Sequence, residues 1–148
     1  MAPNELTSED YAALGEFRYR IRQFLHFSEE AAREAGLEPQ QQQMLLAIRA
    51  LAGPHAPTIG TLAGHLFVRH HSAVGLIDRL EQRGLVERVR GGDDRRAVVV
   101  RLTPRGERKL GALSMAHRDE LGKSGPALVE LLRGLLERLS AGKPVSKD

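Results

Sequence analysis

Apolar residues in the first third of the chain recur at the spacing of an α-helix. From Ser8 to Ala35 an apolar side chain follows every three or four residues, with Ser8 as a candidate N-cap and Gly36 as the stop. A second helical pattern begins at Pro39, a residue type favoured at the first position of a helix, and ends at Gly53. The pattern predicts one long helix of roughly 26 residues followed by a shorter one.

The next stretch predicts two short helices joined by a tight turn. Thr58 is a good N-cap for a helix that runs to Leu66, and residues 67–69 form the turn. The following helix runs from His70 to about Arg83, with apolar residues at core spacing. Two short helices in this arrangement are typical of a helix-turn-helix.

The period changes from helical to alternating after Gly84. Residues 85–90 alternate apolar with polar side chains, and residues 97–102 are rich in valine. Both runs therefore predict β-strands, joined by a turn over residues 91–96. The result is a two-stranded hairpin directly after the helix-turn-helix.

The last third of the chain predicts two more helices. Thr103 and Pro104 supply an N-cap and a first-position proline, and leucines then recur at helical spacing. Gly125 and Pro126 are expected to end this helix, because proline lacks the amide hydrogen that a helix interior uses. The final helix has a leucine stripe broader than so short an element buries within one chain, which favours a dimerisation layer.

These elements define the expected fold, which is mainly α with a small β-hairpin wing. It is a winged helix-turn-helix combined with a helical dimerisation layer. A single domain is expected over residues 1–148, with the DNA-binding lobe at about 37–102 and the dimerisation helices at about 8–36 and 103–141. The second helix of a winged helix enters the DNA major groove, and the wing contacts a neighbouring groove or phosphates.

Composition excludes several classes of function. The 148 residues contain no cysteine, which rules out disulfides, thiolate catalysis and cysteine-ligated zinc in this chain. The six histidines are scattered and form no pattern of nucleophile, base and orienting group, so no enzyme activity, metal site or cofactor is expected. No apolar run approaches the roughly 20 residues of a membrane span, and no secretory leader is visible. The expected location is the cytoplasm, in association with the nucleoid.

Positive charge is concentrated in the middle of the chain. Residues 58–108 hold ten arginines and six acidic residues, a net charge of +4, whereas the whole chain carries a formal charge of +3. An arginine excess of this kind is expected of a surface that binds phosphates. A solvated charged face without a ligand explains the charge count equally well.

The predicted helix that begins at His70 carries candidate DNA-reading side chains. Its first turn offers donors and acceptors for base edges, a valine for a thymine methyl group and a glycine that permits close approach of the backbone. The recognition-helix candidates are His70, His71, Ser72, Val74, Gly75 and Arg79. Solvent exposure without a role is the alternative for the two histidines. Metal chelation by them is disfavoured, because neighbouring residues in a helix point about 100° apart.

The stretch RGGDDRRAVVV at the predicted hairpin admits three interpretations. A metal or acid-base site is disfavoured, because three arginines beside Asp93 and Asp94 keep both carboxylates ionised. An ordinary hairpin turn is the second interpretation. The third is a DNA-binding wing, in which Asp94 pairs with Arg96 and Arg95 projects from the tip toward a minor groove. Arg90 is a further wing candidate, and Asp93 has no assigned role.

Two ordered runs resemble the MarR family of bacterial winged-helix regulators. The first runs from Leu76 to Arg88, and the second, from Asp94 to Gly106, contains a D-x-R wing motif and an LT-x-x-G motif. The resemblance implies a homodimer that binds a pseudo-palindromic operator in double-stranded DNA. It also implies that a small aromatic or anionic ligand relieves repression, and it supports the wing roles given above.

The predicted function is therefore a dimeric, sequence-specific DNA-binding transcriptional regulator, a repressor relieved by a small ligand. A winged-helix module that binds proteins without reading DNA is the alternative. In the MarR family the ligand pocket lies between the first two helices and the winged-helix lobe, which implies four ligand candidates: Phe17, Arg20, Phe24 and His26. The competing interpretation places the two phenylalanines in the core and leaves Arg20 and His26 solvated.

Overall fold

Five helices and a two-stranded hairpin are present in the computed structural model, which describes residues 5–91 and 97–141. In chain order the elements are α1 (Ser8–Glu34), α2 (Pro39–Ala50), α3 (Ile59–His65), α4 (His70–Gln82), β1 (Val86–Arg90), β2 (Val98–Leu102) and α5 (Pro104–Ala141). The chain divides into two compact units. The winged-helix unit is Glu29–Ala116, and the helix-pair unit combines Met1–Ser28 with His117–Asp148.

The winged-helix unit has a continuous apolar core. Helices α2, α3 and α4, the hairpin and the first part of α5 all contribute buried apolar side chains. The largest fully buried ones are Met44, Leu45, Ile48, Leu62, Ile77, Leu80, Leu85, Val86 and Val100. Full burial of one such side chain stabilises a fold by about 1.5–3 kcal/mol. The predicted fold class is confirmed, and the predicted lobe of about 37–102 lies inside this unit.

The hairpin is antiparallel and is attached to the segment before α3. Strand β1 (Val86–Arg90) pairs along its whole length with β2 (Val98–Leu102). The amide of Val100 also donates to the carbonyl oxygen of Pro57 at 2.9 Å, so β2 is held on both of its edges. The hairpin therefore has a defined position against the helix-turn-helix. Its tip, residues 92–96, lies outside the described residues.

A tight joint connects the end of α4, the start of β1 and the start of α5. The Thr103 hydroxyl accepts a hydrogen bond from the Gly106 amide at 3.1 Å and donates to the Gly84 carbonyl oxygen at 2.6 Å. The Thr103 amide donates to the Leu85 carbonyl oxygen at 3.1 Å. A Cβ atom at Gly106 would lie 2.0 Å from that same oxygen, so this approach requires glycine. The LT-x-x-G motif thus corresponds to a packing requirement of the backbone.

The helix-pair unit sets the first part of α1 beside the last part of α5. Arg138 of α5 donates to Glu9 at 2.8 Å and to Asp10 at 3.4 Å, both in the first turn of α1. Further along, the ring of His117 on α5 lies 6.4 Å from the ring of Phe24 on α1. Contacts of this kind at opposite ends of the two segments show that they run antiparallel.

Most of the apolar surface of the helix-pair unit is exposed. Within the described part of this unit, Leu135 is the one buried residue. The large apolar residues that are exposed are Leu6, Tyr11, Tyr19, Leu25, Leu121, Val129, Leu132, Leu136 and Leu139. One copy of the chain therefore leaves an apolar face on this unit open to water.

The predicted break at Gly125 and Pro126 is wrong. Helix α5 is continuous over 38 residues, with Pro126 in its interior. An interior proline removes one backbone hydrogen bond and costs about 3 kcal/mol. The leucines before and after it keep the same helical phase, so one apolar stripe continues along the helix past the proline. In the described part of the chain, neither α5 nor any other helix is long and apolar enough to span a membrane.

The N-cap of α1 is Thr7, one residue before the predicted Ser8. The Thr7 hydroxyl accepts a hydrogen bond from the Asp10 amide at 3.1 Å. The Asp10 carboxylate in turn accepts from the amide and the hydroxyl of Thr7, both at 2.9 Å. This reciprocal pair satisfies two donors at once, as in a capping box. Ser8 has Tyr11 three residues later, which offers no carboxylate for the same exchange.

Candidate nucleic-acid interface

Helix α4 presents one face to the core and the other to solvent. Its buried side chains are Ala73, Leu76, Ile77 and Leu80. All six predicted recognition residues lie on this helix: His70, His71, Ser72 and Arg79 are exposed, and Val74 and Gly75 are half-buried. The fold therefore gathers these candidates on one element and leaves their polar groups accessible.

The chain segment that leads into α4 and forms its first two turns carries no acidic residue. Residues 55–77 contain no aspartate and no glutamate. Arg69, the N-cap of α4, makes no capping hydrogen bond through its side chain and is exposed. A segment that offers donors and carries no carboxylate of its own favours contact with a polyanion such as DNA.

Arg88 connects the wing to α4, a contact that sequence reasoning missed. The guanidinium of Arg88, on β1, hydrogen-bonds Asp78 and Glu81 of α4, the latter at 2.8 Å. The Arg88 amide also donates to the Glu81 carboxylate, at 3.1 Å. The hydrogen bond with Asp78 is the largest cause that raises the pKa of Arg88, while partial burial opposes it. The guanidinium therefore stays cationic between two carboxylates.

This cluster offsets part of the negative charge of α4, because one guanidinium pairs with two carboxylates. Asp78 and Glu81 are three residues apart and so lie on the same side of the helix. With Arg88 between them, the two carboxylates repel a phosphate backbone less, and the base of the wing is held against the helix. The acid pair is visible in the sequence. The sequence does not show that Arg88 is the partner of this pair, because the approach of β1 to α4 depends on the fold.

The described arginines of the hairpin differ in their contacts. Arg101 pairs with Glu87 on the opposite strand at 2.6 Å, as the register of the strands dictates. Arg90, the last residue of β1, is exposed. Three predicted wing residues lie outside the described residues: Asp94, Arg95 and Arg96. Their contacts with DNA and with one another stay predictions.

The four ligand candidates all lie on α1. Phe17 and Phe24 are half-buried, whereas Arg20 and His26 are exposed. Arg20 donates to Glu16 at 2.9 Å, one turn earlier on the same helix. Helical spacing puts Phe17, Arg20 and Phe24 on one side of α1 and points His26 about 180° away from Phe17. Three of the candidates can therefore face one ligand together.

His117 lies beside these aromatic residues and was not predicted. Its ring is 6.4 Å from the ring of Phe24 and 6.1 Å from that of Phe27. The Nε2 atom of His117 is buried and has no hydrogen-bond partner among the described residues. No local pattern in the sequence indicates this contact, because the histidine is on α5, far along the chain from α1.

Comparison with known proteins supports the predicted resemblance to the MarR family. A family model described as MarR family matches residues 35–97. Over these residues the chain is similar to members of the MarR family. The matched segment contains α2, α3, α4 and β1, so it covers the helix-turn-helix and the first strand of the wing.

Relatives and solved structures agree with this assignment. The uncharacterized HTH-type transcriptional regulator YsmB of Bacillus subtilis (strain 168) is 45% identical over 64 residues, which cover 43% of this chain and 44% of YsmB. AbsC, a MarR family transcriptional regulator from Streptomyces coelicolor, matches with a TM-score of 0.70 at 20% identity, over 95% of this chain and 99% of AbsC. A mutant MarR from E. coli complexed with operator DNA matches with a TM-score of 0.63 at 22% identity. The match covers 92% of this chain and 99% of the mutant MarR chain.

These likenesses confirm the predicted family and fold. The match to YsmB spans less than half of that protein's length, and the two structural matches, at their low identity, show the fold. Members of the MarR family are transcription regulators and not enzymes. The prediction that the chain is not an enzyme agrees with the similarity to this family.

Proposed function

We propose that this chain is a dimeric, sequence-specific DNA-binding transcriptional regulator that represses its target genes. The observation that supports the proposal best is the start of α4, where exposed hydrogen-bonding side chains stand on a helix-turn-helix with no acidic residue over 55–77. The mutant MarR of similar fold is complexed with operator DNA. The partner of this chain is double-stranded DNA with a pseudo-palindromic operator sequence.

The first turn of α4 contacts base edges in the major groove. His70, His71 and Ser72 supply donors and acceptors, and Val74 supplies an apolar contact for a thymine methyl group. Gly75 lets the helix backbone approach the bases, because it has no side chain to hold them apart. One turn further along, the exposed guanidinium of Arg79 binds a phosphate.

The wing extends the contact to the neighbouring groove. Arg95 enters the minor groove, where the negative potential favours a guanidinium. Asp94 braces Arg96 at the tip, and Arg90 contacts a phosphate. Arg88 holds the base of the wing through its ion pairs with α4.

A second copy of the chain covers the exposed apolar face of the helix-pair unit. On α5 the exposed residues Val129, Leu132, Leu136 and Leu139 follow one another at steps of three, four and three residues. This spacing forms the narrow seam by which two helices pack. The dimer then presents two α4 helices to half-sites about one helical turn apart, which explains a pseudo-palindromic operator.

A small aromatic or anionic ligand relieves the repression. Phe17 and Phe24 offer an apolar surface, Arg20 between them offers a positive charge, and His26 is a further candidate. The ligand acts by favouring a spacing of the two lobes that no longer matches the half-sites. Regulation of this kind shifts a population between two states and needs no new chemistry.

DNA selection followed by a binding titration tests the proposal. Fragments that the full chain selects from a random pool should share a pseudo-palindromic motif, and fluorescence anisotropy should give a Kd that rises by orders of magnitude between low and moderate salt. His71→Ala and Arg95→Ala should each raise the Kd about tenfold or more. Glu137→Gln, an exposed change outside the interface, serves as the control.

Failure to select any DNA, or to bind duplex DNA at low salt, rejects the proposal and favours a module that binds proteins. Ligand relief has a separate test. A panel of small aromatic acids should contain compounds that raise the Tm and weaken DNA binding at the same concentration. If no compound of the panel changes the Tm, the proposal of ligand relief is rejected. The proposal of DNA binding is unaffected by that result.

A further inference from the structure

Three helices of the chain end with the same backbone motif. In each, the residue after the helix cap has a positive φ: 77° at Gly36 after α1, 70° at Gly84 after α4 and 54° at Phe67 after α3. The amides of this residue and of the next one donate to the last turn of the helix at 2.9–3.3 Å. This is the Schellman motif, whose positive-φ position is normally glycine.

Phe67 occupies a glycine position without any compensating contact in the fold. A Cβ atom crowds the backbone at positive φ, and a bulky residue there is an outlier. The Phe67 side chain is 97% exposed, so it contributes nothing to the core. Glycine would make the same turn with less strain and less apolar surface in water. A residue that is both strained and solvated indicates a role outside the fold.

The position of Phe67 in the chain is the basis for naming a partner. Phe67 precedes His70, the first residue of α4, by three residues, which places the two Cα atoms within about 10 Å of each other. Arg69 lies between them and is exposed. The absence of acidic residues over 55–77 makes this surface complementary to a polyanion. DNA in contact with α4 is therefore the occupant that the charges favour.

We propose that Phe67 is a DNA-contacting residue, with its ring against the apolar part of the operator beside the first turn of α4. The inference rests on the proposed function and adds a residue to the same surface. Two groups of DNA offer the apolar contact, the thymine methyl group in the major groove and the deoxyribose of the adjoining strand. A phenylalanine ring packs on either of them, and a thymine methyl is a known partner for it.

The aromatic contact should have a signature different from that of an arginine. A neutral ring displaces no counterion from a phosphate, so it adds affinity without adding salt dependence. Phe67→Gly and Phe67→Asn are the decisive variants, because both residue types tolerate positive φ. Both should fold with a higher Tm than the wild type and bind the selected operator about tenfold more weakly, with an unchanged slope of log Kd against log salt.

Two further variants serve as controls for the effect of Phe67→Gly on DNA binding. Arg79→Ala should also weaken binding, but it should lower the salt slope by about 1, as expected for the loss of a phosphate contact. Leu46→Ala removes another exposed apolar side chain of the winged-helix unit, on α2, and should leave the Kd unchanged. An equal loss of affinity in Leu46→Ala would assign the effect to general apolar surface and overturn the inference.

A thymine-to-deoxyuracil scan of the operator separates the two sources of the contact. If the wild type loses affinity at one position in each half-site and Phe67→Gly does not, the ring contacts a thymine methyl group. If no position matters and the loss in Phe67→Gly persists, the ring contacts deoxyribose. Wild-type affinity in Phe67→Gly overturns this inference alone. A wild-type chain that selects no DNA overturns the proposed function along with it.

Discussion

The two units of the chain bury their apolar residues to very different extents. The winged-helix unit contains a core of seventeen buried apolar residues. In the described part of the helix-pair unit, Leu135 alone is buried and nine large apolar side chains are exposed. A core of the first kind stabilises its unit within one copy of the chain, whereas two helices with an open apolar face need further packing.

This difference in burial suggests that the two units have different roles in the proposed dimer. The direction of α4 and of the wing is set inside the winged-helix unit, by the joint at Thr103 and by the ion pairs of Arg88. The spacing between two such units, in the proposed dimer, depends on the helix pair. A change in the first unit should therefore affect stability or base contacts, and a change in the second should affect assembly. Four predictions test that division, in order of decreasing expected effect.

The largest effect is expected at the joint of the winged-helix unit. Gly106→Ala sets a Cβ atom against the Leu85 carbonyl oxygen, so the backbone must move. We expect the free energy of unfolding to fall by at least about 3 kcal/mol, measured by chemical denaturation with circular dichroism. Gly111→Ala is the matched control on the same helix, since no atom lies within 4 Å of its new Cβ. It should gain about 0.5–1 kcal/mol. Equal stabilities of the two variants would refute the role of the joint.

The next effect concerns the exposed seam of α5. The double change Leu132→Glu and Leu136→Glu places two charges in the proposed dimer interface. We expect the Kd of dimerisation to rise at least about 100-fold, or roughly 2.7 kcal/mol, because an unpaired buried charge is costly. Analytical ultracentrifugation measures the change, with Glu137→Gln as the control. The helical content of the winged-helix unit should persist. An unchanged dimer would place the interface elsewhere.

A smaller effect is expected from the ion pairs between the wing and α4. Arg88→Ala leaves the carboxylates of Asp78 and Glu81 without a counter-charge on α4, the helix proposed to contact DNA. The Kd for operator DNA should rise about tenfold. The loss of stability should stay below about 1 kcal/mol, because the two acidic side chains are half exposed and screened by water. Adding Asp78→Asn and Glu81→Gln to the variant should restore most of the affinity. No recovery would show that Arg88 acts in another way.

The smallest effect is a pH dependence at the start of α1. Hydrogen bonds from the amide and the hydroxyl of Thr7 lower the pKa of Asp10, with a further contribution from Arg138. A carboxyl group with a lowered pKa stabilises the fold above its unfolded-state pKa of about 3.9, and this contribution disappears as the pH falls through the folded-state value. The Tm of Asp10→Asn should therefore lie below that of the wild type from pH 7 down to about 5. The two should converge in acid. A difference that grows in acid would contradict the assignment.

The sequence predicted the elements of the winged-helix unit well, because each has strong local signals. Thr58 and Thr103 are caps with their side chains in hydrogen bonds, and Gly84 ends α4 at a positive φ. One wrong prediction, the break at Pro126, also rested on a local rule. It failed because the structure gives up one backbone hydrogen bond at the proline without ending the helix, and the apolar stripe keeps its phase on both sides.

The candidate site was predicted in part. The six residues of α4 lie on one helix as expected, since helical spacing alone assigns them to an element. The contacts of Arg88 with α4 and of His117 with the phenylalanines of α1 were missed. Both join residues of different elements, and no periodicity within one element indicates which partner lies opposite.

The sequence by itself determined the order of helices and strands, the caps and turns, the MarR family motifs and the positive charge of the central segment. Each of these depends on interactions between residues close along the chain. Only the tertiary structure decided that Gly106 touches the backbone of Leu85 and that α5 continues through Pro126. It also decided that Phe67 turns its ring fully into solvent. No local pattern indicates these features, because the sequence does not show which distant segments approach one another or which side chains the fold leaves in solvent.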